Sequence, residues 1–180
     1  HADKPANAAM LLAAMTFDAV DGAAGMSGNM LACLLANPET LAEIRDDHAL
    51  ISGVWTEATR VAPALLGLFR SPVEDAEVNG IRFPAGVNIF MFNAAGNRDP
   101  SVFKDPDRFN IRREEQQPLS FGAGGRACVG RSLARMQAEI ALDVLLAKTS
   151  SIELIERPED WGRPGLLRTI RRLPVRLKRR

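Results

Sequence analysis

A ten-residue stretch of the sequence, FGAGGRACVG from Phe121 to Gly130, combines a thiol, a cation and four glycines just before a strongly helical segment. Cys128 stands where the loop becomes a helix, so the unpaired N–H groups of the helix N-terminus favour its thiolate form. The glycines permit backbone angles and close approaches that a β-carbon would forbid, as a loop packed against a flat ligand requires. Arg126 can pair with a carboxylate of the same ligand. The stretch therefore predicts a thiolate site for an acidic ligand.

A thiolate presented from such a loop, with an arginine beside it, is the arrangement expected of a cysteine that holds a heme iron. The alternative is a buried cysteine in a tight turn. The stretch resembles the cysteine-ligand loop of the cytochrome P450 family of heme-thiolate monooxygenases, and it does so at Phe121, Gly124, Arg126, Cys128 and Gly130. The resemblance implies heme b (iron protoporphyrin IX), with Cys128 as the axial ligand of the iron. It also implies a set of heme-contacting residues: Ala19, Arg70, Phe121, Gly122, Arg126, Cys128, Gly130 and Ala134.

The stretch EATR places Glu57 and Arg60 three residues apart on one helical face, where an ion pair can form. An ordinary surface pair is the alternative. In the family, this spacing belongs to a buried network that a downstream arginine completes, and DPDRF resembles that segment, which makes Arg108 the third member. We expect the loss of any member to damage folding or heme retention. Arg70 falls where the family places a second arginine for the heme propionates, with a solvated arginine as the alternative.

The stretch DAVDGAA resembles the distal part of the family's long central helix, where an acidic residue is usually followed by a threonine that helps to deliver protons. Here Gly22 follows Asp21, so the acid is present and the alcohol is missing. Water near a widened helix groove, or a hydroxyl of the substrate, would then have to position the proton. Asp18 shares a helix face with Asp21, and it either forms an acid pair with Asp21 or points at another part of the protein. Five residues are candidates for the substrate pocket by family position, with plain core as the alternative: Ala14, Phe17, Leu65, Leu66 and Phe90.

Residues 8–36 are small and apolar, which predicts a long buried helix that ends at Asn37-Pro38. Glycines at positions 22, 25 and 28 weaken its middle and predict a kink or a partner packed very closely against the backbone. Further helices are predicted over residues 38–47 and from about 51 to 60.

The pattern then changes to β structure. Asn79-Gly80 predicts a hairpin turn, and a second turn leads into a strand over residues 87–92. Residues 93–118 are polar and predict an ordered coil. Apolar residues at helical spacing predict a helix from the glycine loop to about Lys148, and the sequence ends in a strand-rich piece that includes LPVRL.

The composition limits the classes of partner. The 180 residues have the length of one ordinary domain, and an apolar content of 46% suffices for a core. The net charge of +1 does not call for nucleic acid or a membrane, and no apolar run reaches the length of about 20 residues that spans a bilayer. Cys33 and Cys128 lack the paired spacing of a disulfide framework, which favours a cytoplasmic protein.

The resemblance covers essentially the whole chain and implies a mainly α fold with small β-sheets, namely the C-terminal portion of the cytochrome P450 fold. The half of the fold that normally precedes the long helix, including the lid over the substrate, is not in the sequence. We therefore expect residues 1–180 to form the C-terminal heme-binding portion of a single cytochrome P450 domain. On its own this portion would expose a broad apolar surface, which soluble monomers avoid.

The implied activity is insertion of one oxygen atom from O2 into a small-molecule organic substrate, with electrons from a separate ferredoxin or reductase. Four arginines near the cysteine loop in sequence are candidates for a basic face that receives this donor: Arg112, Arg113, Arg131 and Arg135. Two alternatives remain. In the first, the oxidation is driven by peroxide or assisted by the substrate, because Gly22 replaces the alcohol. In the second, the chain is a non-catalytic heme-binding remnant.

Overall fold

The structure, a computed structural model, describes residues 5–114, 117–156 and 165–180. Its first three helices are α1 (Pro5–Leu35), α2 (Pro38–Asp46) and α3 (Ile51–Val61). Pro38 lies in the first turn of α2, where its missing N–H removes no helical hydrogen bond. The Asn37 side chain donates to the Cys33 carbonyl oxygen at 2.7 Å and so occupies an acceptor at the end of α1. The Asn37-Pro38 stop signal thus separates the two helices as predicted.

Four short strands follow, namely β1 (Leu68–Arg70), β2 (Ala76–Val78), β3 (Ile81–Phe83) and β4 (Ile89–Met91). β2 and β3 form the predicted hairpin, and the positive φ angles of Asn79 (52°) and Gly80 (78°) are those of a type I′ turn. β4 is shorter than the predicted strand over residues 87–92 and pairs antiparallel with β1, so that Phe90 lies opposite Phe69. The polar segment that follows contains one short helix, α4 (Asn93–Gly96), and is otherwise irregular in its described part.

The helix after the glycine loop is α5 (Arg131–Lys148), and it passes directly into β5 (Thr149–Leu154), which pairs antiparallel with β6 (Val175–Arg179). Its buried residues are Ala138, Leu142 and Leu146. The apolar residues whose spacing predicts the helix are exposed, at 44–56% of their surface: Leu133, Met136, Ile140 and Val144. The helix is confirmed, but the face that it buries is a different one.

The core lies where α1, α3 and α5 cross. Met30 and Leu34 of α1 pack in one cluster with Val54 and Trp55 of α3 and with Leu142 of α5. Ile44 of α2 and Ile152 of β5 close the same cluster. Phe121 of the glycine loop packs against the same cluster, so the loop is attached to the core that α1, α3 and α5 form. Within the described ranges no single helix is long and apolar enough to cross a membrane. The segment Ala19–Leu35 reaches that length and hydropathy only when α2 is added to it, and the two helices meet at an angle of 102°.

Candidate functional site

The loop before α5 has a fixed backbone shape. Two short 3-10 turns, Leu119–Phe121 and Gly124–Arg126, stand on either side of Gly122. Gly122 and Gly124 have φ angles of 69° and 60°, a conformation that favours glycine. A β-carbon on Gly122 would also lie 3.2 Å from the Arg126 carbonyl oxygen. The Cys128 N–H donates to the Phe121 carbonyl oxygen at 2.8 Å and closes the loop around these glycines.

The Cys128 thiol lies on the surface at the start of α5. Gly130 precedes the first residue of that helix, and the Ala134 N–H donates to the Gly130 carbonyl oxygen at 2.9 Å. Cys128 and Arg126 are both exposed, and Arg126 has no ion-pair partner within the described part of the chain. The loop therefore presents a thiol and an uncommitted guanidinium on an open face, which suits a ligand that needs a sulfur donor and carries an anionic group.

The ring of Phe121 anchors the loop to the core. Its ring centroid lies 5.7 Å from that of Trp55 in α3, and the Arg131 guanidinium carbon lies 6.0 Å from the same Phe121 centroid. Arg131 also donates to the Gln117 side chain. Because Trp55 is buried, the loop is fixed to the same helix that carries Glu57 and Arg60.

We expect the two thiols to differ sharply in reactivity towards iodoacetamide in the native, heme-free chain at mildly alkaline pH. Cys33 is buried, and this burial raises the pKa of its thiol to about 12, so almost no nucleophilic thiolate forms there. Cys128 is exposed and should be labelled first, with Cys33 following only after unfolding. Peptide mass mapping of the Cys128→Ser variant gives the control, which should stay unlabelled while folded. Native labelling at Cys33 would contradict the expectation.

Glu57 and Arg60 form a buried ion pair. Two guanidinium nitrogens of Arg60 donate to the two carboxylate oxygens of Glu57 at 2.7 and 2.8 Å, and both side chains are almost wholly buried. A second cation, Arg113, donates to the same carboxylate at 3.2 Å and is itself only 6% exposed. The backbone N–H of Asn110 adds a further bond to Glu57 at 2.9 Å. One carboxylate thus serves two buried cations.

The prediction that Arg108 is the third member needs correction. Arg108 contributes its backbone carbonyl oxygen, which accepts from Arg60 at 3.1 Å and from Arg113 at 3.2 Å, while its own side chain is exposed. The cation that completes the pair belongs to Arg113, five residues further along the chain. Arg113 also donates to the carbonyl oxygens of Lys104 at 2.6 Å and of Asp105 at 3.4 Å, so the segment around Asp105, whose φ is 47°, helps to hold its guanidinium beside Glu57.

Asn97 connects the ion network to the cysteine loop. Its backbone carbonyl oxygen accepts from Arg60 at 2.9 Å, and its side-chain oxygen accepts from the Leu119 N–H at 2.7 Å. Its side-chain nitrogen donates to Ser120 Oγ at 2.8 Å, and that hydroxyl donates to the Thr59 carbonyl oxygen. Sequence analysis did not identify Asn97. The stretch NAAGNRDP offers two asparagines, Asn93 and Asn97, in a polar segment where side chains of this type more often stabilise turns, so nothing in it distinguishes Asn97.

Of the three glycines in the middle of α1, Gly25 marks a site of close packing. The helix continues without a break through all three positions. A β-carbon on Gly25 would lie 2.1 Å from Cγ2 of Thr169, whereas one on Gly22 would have nothing within 4 Å. The missing alcohol at position 22 is therefore not accompanied by a break in the helix. The close partner predicted for the glycines is Thr169, in the segment 165–171, which packs against Gly25.

Asn29 fixes that segment to α1. It is fully buried, and its amide nitrogen donates to the carbonyl oxygens of Arg168 at 2.8 Å and of Ala62 at 3.0 Å. Its amide oxygen accepts from the Ile170 N–H at 3.1 Å. Backbone bonds also join the two segments to each other, from Leu66 to Leu166 at 2.9 Å and from Arg168 to Ala64 at 2.7 Å. A single side chain thus ties α1 to the chain after α3 and to residues 168–170.

A cleft of about 670 Å³ opens between α1 and the segment 165–171. Asp21 lines it from α1, with its carboxylate exposed. The opposite wall consists of residues that sequence analysis did not single out: Gly165, Leu166, Leu167, Thr169, Ile170 and Arg171. The cleft combines an acidic and a basic residue, Asp21 and Arg171, with apolar residues from both walls.

The other predicted site residues whose side chains the structure describes do not line this cleft. Leu65 and Leu66 are half-buried beside residues 166–167, and Phe90 is exposed between the rings of Phe69 and Phe92, at 5.0 and 5.8 Å. Arg70 is exposed and donates to the carbonyl oxygen of its neighbour Phe69 at 2.8 Å. Ala19 is exposed on α1. Three predicted side chains of the same helix fall outside the described part of the structure: Ala14, Phe17 and Asp18.

The four arginines that are candidates for a basic face differ in exposure and in their partners. Arg113 is buried against Glu57 and is not available at the surface. Arg112 pairs with Glu43, and Arg135 pairs with Glu139 at 2.8 Å. Arg131 lies closest to the cysteine loop in sequence and contacts Phe121. The candidate face therefore reduces to Arg112, Arg131 and Arg135.

Comparisons with known proteins agree on one family. The family model described as Cytochrome P450 matches residues 4–153. Cytochrome P450 107B1 of Saccharopolyspora erythraea is 38% identical over 152 residues, which are 83% of this chain and 38% of that protein. The 6-deoxyerythronolide B hydroxylase of the same organism is 34% identical over 178 residues, 98% of this chain and 43% of the relative. The chain thus spans about two-fifths of the length of these relatives.

Comparison with solved structures identifies the same family. The crystal structure of P450BioI in complex with an acyl carrier protein ligated to hexadec-9Z-enoic acid superposes with a TM-score of 0.84 at 33% sequence identity. The match covers 88% of this chain and 41% of that one.

Proposed function

The chain belongs to the cytochrome P450 family, and from that premise we propose that it carries the heme-thiolate site of a monooxygenase. The activity proposed is insertion of one oxygen atom from O2 into a small-molecule organic substrate. The observation that carries the proposal is the exposed Cys128 thiol at the end of a glycine loop whose backbone is closed by the bond from Cys128 to Phe121.

The residues of the loop fit a heme. A flat macrocycle with an iron at its centre needs a sulfur donor that protrudes from the backbone, and the loop offers the exposed Cys128 thiol, with glycines at positions 122, 124, 125 and 130 near it in the sequence. Cys128 would hold the iron, and Phe121, Gly122, Gly130 and Ala134 would contact the ring. Heme held in this way would supply activation of O2.

Arg126 and Arg70 are proposed to bind the heme propionates. Arg126 is exposed beside the thiol and has no ion pair among the described residues, so its charge is available to an anion. Among the residues that the structure describes, the exposed Arg70 side chain has one hydrogen bond, to the neighbouring Phe69 carbonyl oxygen, which a propionate could replace. Ala19 would lie near the heme on α1, where a small side chain leaves room for the ring.

Asp21 is proposed as the acid on the distal side. Its carboxylate lines the cleft and is exposed, so it can exchange protons with water. Leu65, Leu66, Phe90, Ala14 and Phe17 remain proposed substrate contacts, and the wall formed by residues 165–171 is added to them.

A second candidate function follows from Gly22. Because no hydroxyl follows Asp21, oxidation driven by peroxide or assisted by a substrate hydroxyl is the alternative to the O2 route. Turnover with hydrogen peroxide, compared with turnover with O2 and a reductase, separates the two. Product formed only with the reductase, in proportion to the NADPH consumed, would exclude the peroxide route.

We also propose that residues 1–180 are the C-terminal heme-binding portion of a single cytochrome P450 domain. The support is the apolar stripe of α5, together with Met10, Leu11 and Leu12 on α1, all of which are more than 40% exposed. Such a surface is typical of a face that another part of a protein covers. The proposed location is the cytoplasm, and the proposed electron donor is a ferredoxin or reductase that approaches the face of Arg112, Arg131 and Arg135.

The test of the main proposal is an absorption spectrum of the purified, heme-reconstituted chain, reduced and exposed to carbon monoxide, beside Cys128→Ser. We expect a strongly red-shifted Soret band that disappears in the variant, because the shift requires a thiolate ligand. The same measurement is made with the N-terminal half of a relative supplied. Heme that binds without the red shift in both samples would exclude the monooxygenase and leave the non-catalytic heme-binding remnant.

A further inference from the structure

Asn97 is fully buried, and its backbone and side chain bind different parts of the protein. The backbone N–H donates to the Asn93 carbonyl oxygen at 3.0 Å, and the backbone carbonyl oxygen accepts from Arg60 at 2.9 Å. The side-chain oxygen accepts from the Leu119 N–H at 2.7 Å, and the side-chain nitrogen donates to Ser120 Oγ at 2.8 Å. The backbone of Asn97 thus belongs to the ion network, whereas its side chain belongs to the first turn of the cysteine loop.

The two sets of bonds can therefore be removed separately. Arg60 is held through a main-chain atom of residue 97, and that atom is present whatever side chain the residue carries. A change of the side chain leaves the bonds between Arg60 and Glu57 in place. It removes the bonds to Leu119 and Ser120, which join the loop to the buried residue.

The turn that Asn97 holds is bonded to the backbone of Cys128. The Gly122 N–H donates to the Leu119 carbonyl oxygen at 2.8 Å and closes the turn. The Cys128 N–H donates to the Phe121 carbonyl oxygen at the same distance. Since Phe121 is the last residue of the turn, the acceptor of the Cys128 N–H moves whenever the turn moves. The position of the thiol therefore depends on what fixes this turn.

A second anchor of the turn runs through Ser120 to α3. Its hydroxyl accepts from Asn97 and donates to the Thr59 carbonyl oxygen. Thr59 is buried and lies next to Arg60 in the helix. Because both Asn97 and Thr59 are buried, a displaced turn would leave polar groups that water does not reach, and this is costly.

We propose that Asn97 is a positioning residue for the sulfur of Cys128, and that its side chain holds the turn from which the cysteine backbone is fixed; this inference rests on the proposed function. The ion network keeps Asn97 in place, and Asn97 in turn keeps the loop in place. A metal ligand must be held to within about 0.5 Å by the residues around it. Without the Asn97 side chain, the loop should sample positions in which the sulfur does not reach the iron.

The first experiment needs no heme. Amide hydrogen exchange of the folded chain is followed by NMR in Asn97→Ala and in a matched control, Asn29→Ala, which also removes a fully buried asparagine that joins two segments. The Cys128 N–H keeps its own acceptor in both variants, so faster exchange there reports movement of the loop. It should exchange about tenfold faster in Asn97→Ala, the equilibrium factor that one buried hydrogen bond commonly provides. In Asn29→Ala the Arg168 N–H, which donates to the Ala64 carbonyl oxygen, should accelerate instead.

The slowest amides of α3 give the global stability of each variant, so a protein that is merely destabilised shows the same acceleration throughout. Ser120→Ala is a milder variant, because it removes the partner of the Asn97 amide nitrogen and keeps the bond from Leu119. If Asn97→Ala does not fold, Ser120→Ala replaces it, with a smaller acceleration expected that is again confined to the loop. Acceleration at Cys128 no greater than that of α3 overturns the inference.

The second experiment uses the heme-loaded protein, reduced and exposed to carbon monoxide. Asn97→Ala should lower the ratio of the red-shifted Soret band to an unshifted band by about tenfold, the lower end of the effect of removing a residue that orients a metal ligand. Asn29→Ala should keep the ratio of the parent. A parent without the red-shifted band identifies a failure of the proposed function. A parent that has the band, with an unchanged ratio in Asn97→Ala, identifies a failure of the inference alone.

Discussion

We expect Glu57→Gln to lower the free energy of unfolding by about 3–5 kcal/mol, the range for removing one partner of a buried ion pair. Glutamine keeps the size of the side chain but not its charge. The guanidinium groups of Arg60 and Arg113, which are almost fully buried, would then share a neutral amide. Chemical denaturation of the heme-loaded protein, followed by far-ultraviolet circular dichroism, gives the unfolding free energy directly.

The matched control is Glu139→Gln on α5. Glu139 pairs with Arg135 four residues away at 2.8 Å, but both side chains are partly exposed, so water screens the interaction. Its removal should cost about 0.5 kcal/mol or less. If the two variants lose the same small amount, the Glu57 pair is not the stabilising centre that its burial indicates. We also expect Glu57→Gln to loosen heme binding, because Asn97 carries the network to the cysteine loop.

Replacing Gly53 by alanine should lower the free energy of unfolding by about 1–3 kcal/mol, the usual cost of overpacking. A β-carbon on Gly53 would lie 2.1 Å from the Ile111 carbonyl oxygen, which is backbone and cannot move as a flexible side chain does. The shift would also stretch the bond from the Asn110 N–H to Glu57. The same denaturation measurement tests this prediction.

Gly22→Ala serves as the comparison for Gly53→Ala. It places the same methyl group in an α-helix, but no atom lies within 4 Å of it. Alanine favours the helix over glycine, so this variant should be about 0.5–1 kcal/mol more stable than the parent. Two glycine-to-alanine changes of opposite sign would separate close packing from helix propensity. A stabilising Gly53→Ala would show that residues 109–111 move away from α3 without cost.

Local patterns predicted the elements well, because their causes are local. The Asn37-Pro38 stop and the Asn79-Gly80 turn depend on the backbone preferences of two residues each, and the structure has both. The spacing of Glu57 and Arg60 predicts their ion pair in the same way, and the two side chains meet at 2.7 Å. These interactions span at most a few residues of the chain.

Features that depend on distant parts of the chain were not predictable from the sequence. Arg108 and Arg113 are both arginines in one irregular segment, and no local pattern tells which of their side chains reaches Glu57, because that depends on the path of the whole segment. Periodicity in α5 indicates a helix but does not tell which face is buried, and the long apolar side chains of Leu133 and Ile140 turn out to be exposed. Gly25 was recognised as a site of close packing or a kink, but its partner Thr169 is 144 positions further along the chain, too far for any local signal.

The bonds of Asn29 have a consequence for the order in which the protein acquires its shape during synthesis. They join α1 to residues 139 and 141 positions further along the chain. A ribosome adds about 5–20 residues per second, so roughly 7–28 seconds pass between the addition of Asn29 and that of Ile170. During that interval the amide oxygen of Asn29 lacks its Ile170 partner, and its amide nitrogen can bond only to the Ala62 carbonyl oxygen or to water. The wall of the cleft is among the last parts of the molecule to form, and a translational pause late in the message would prolong the exposure of the α1 face.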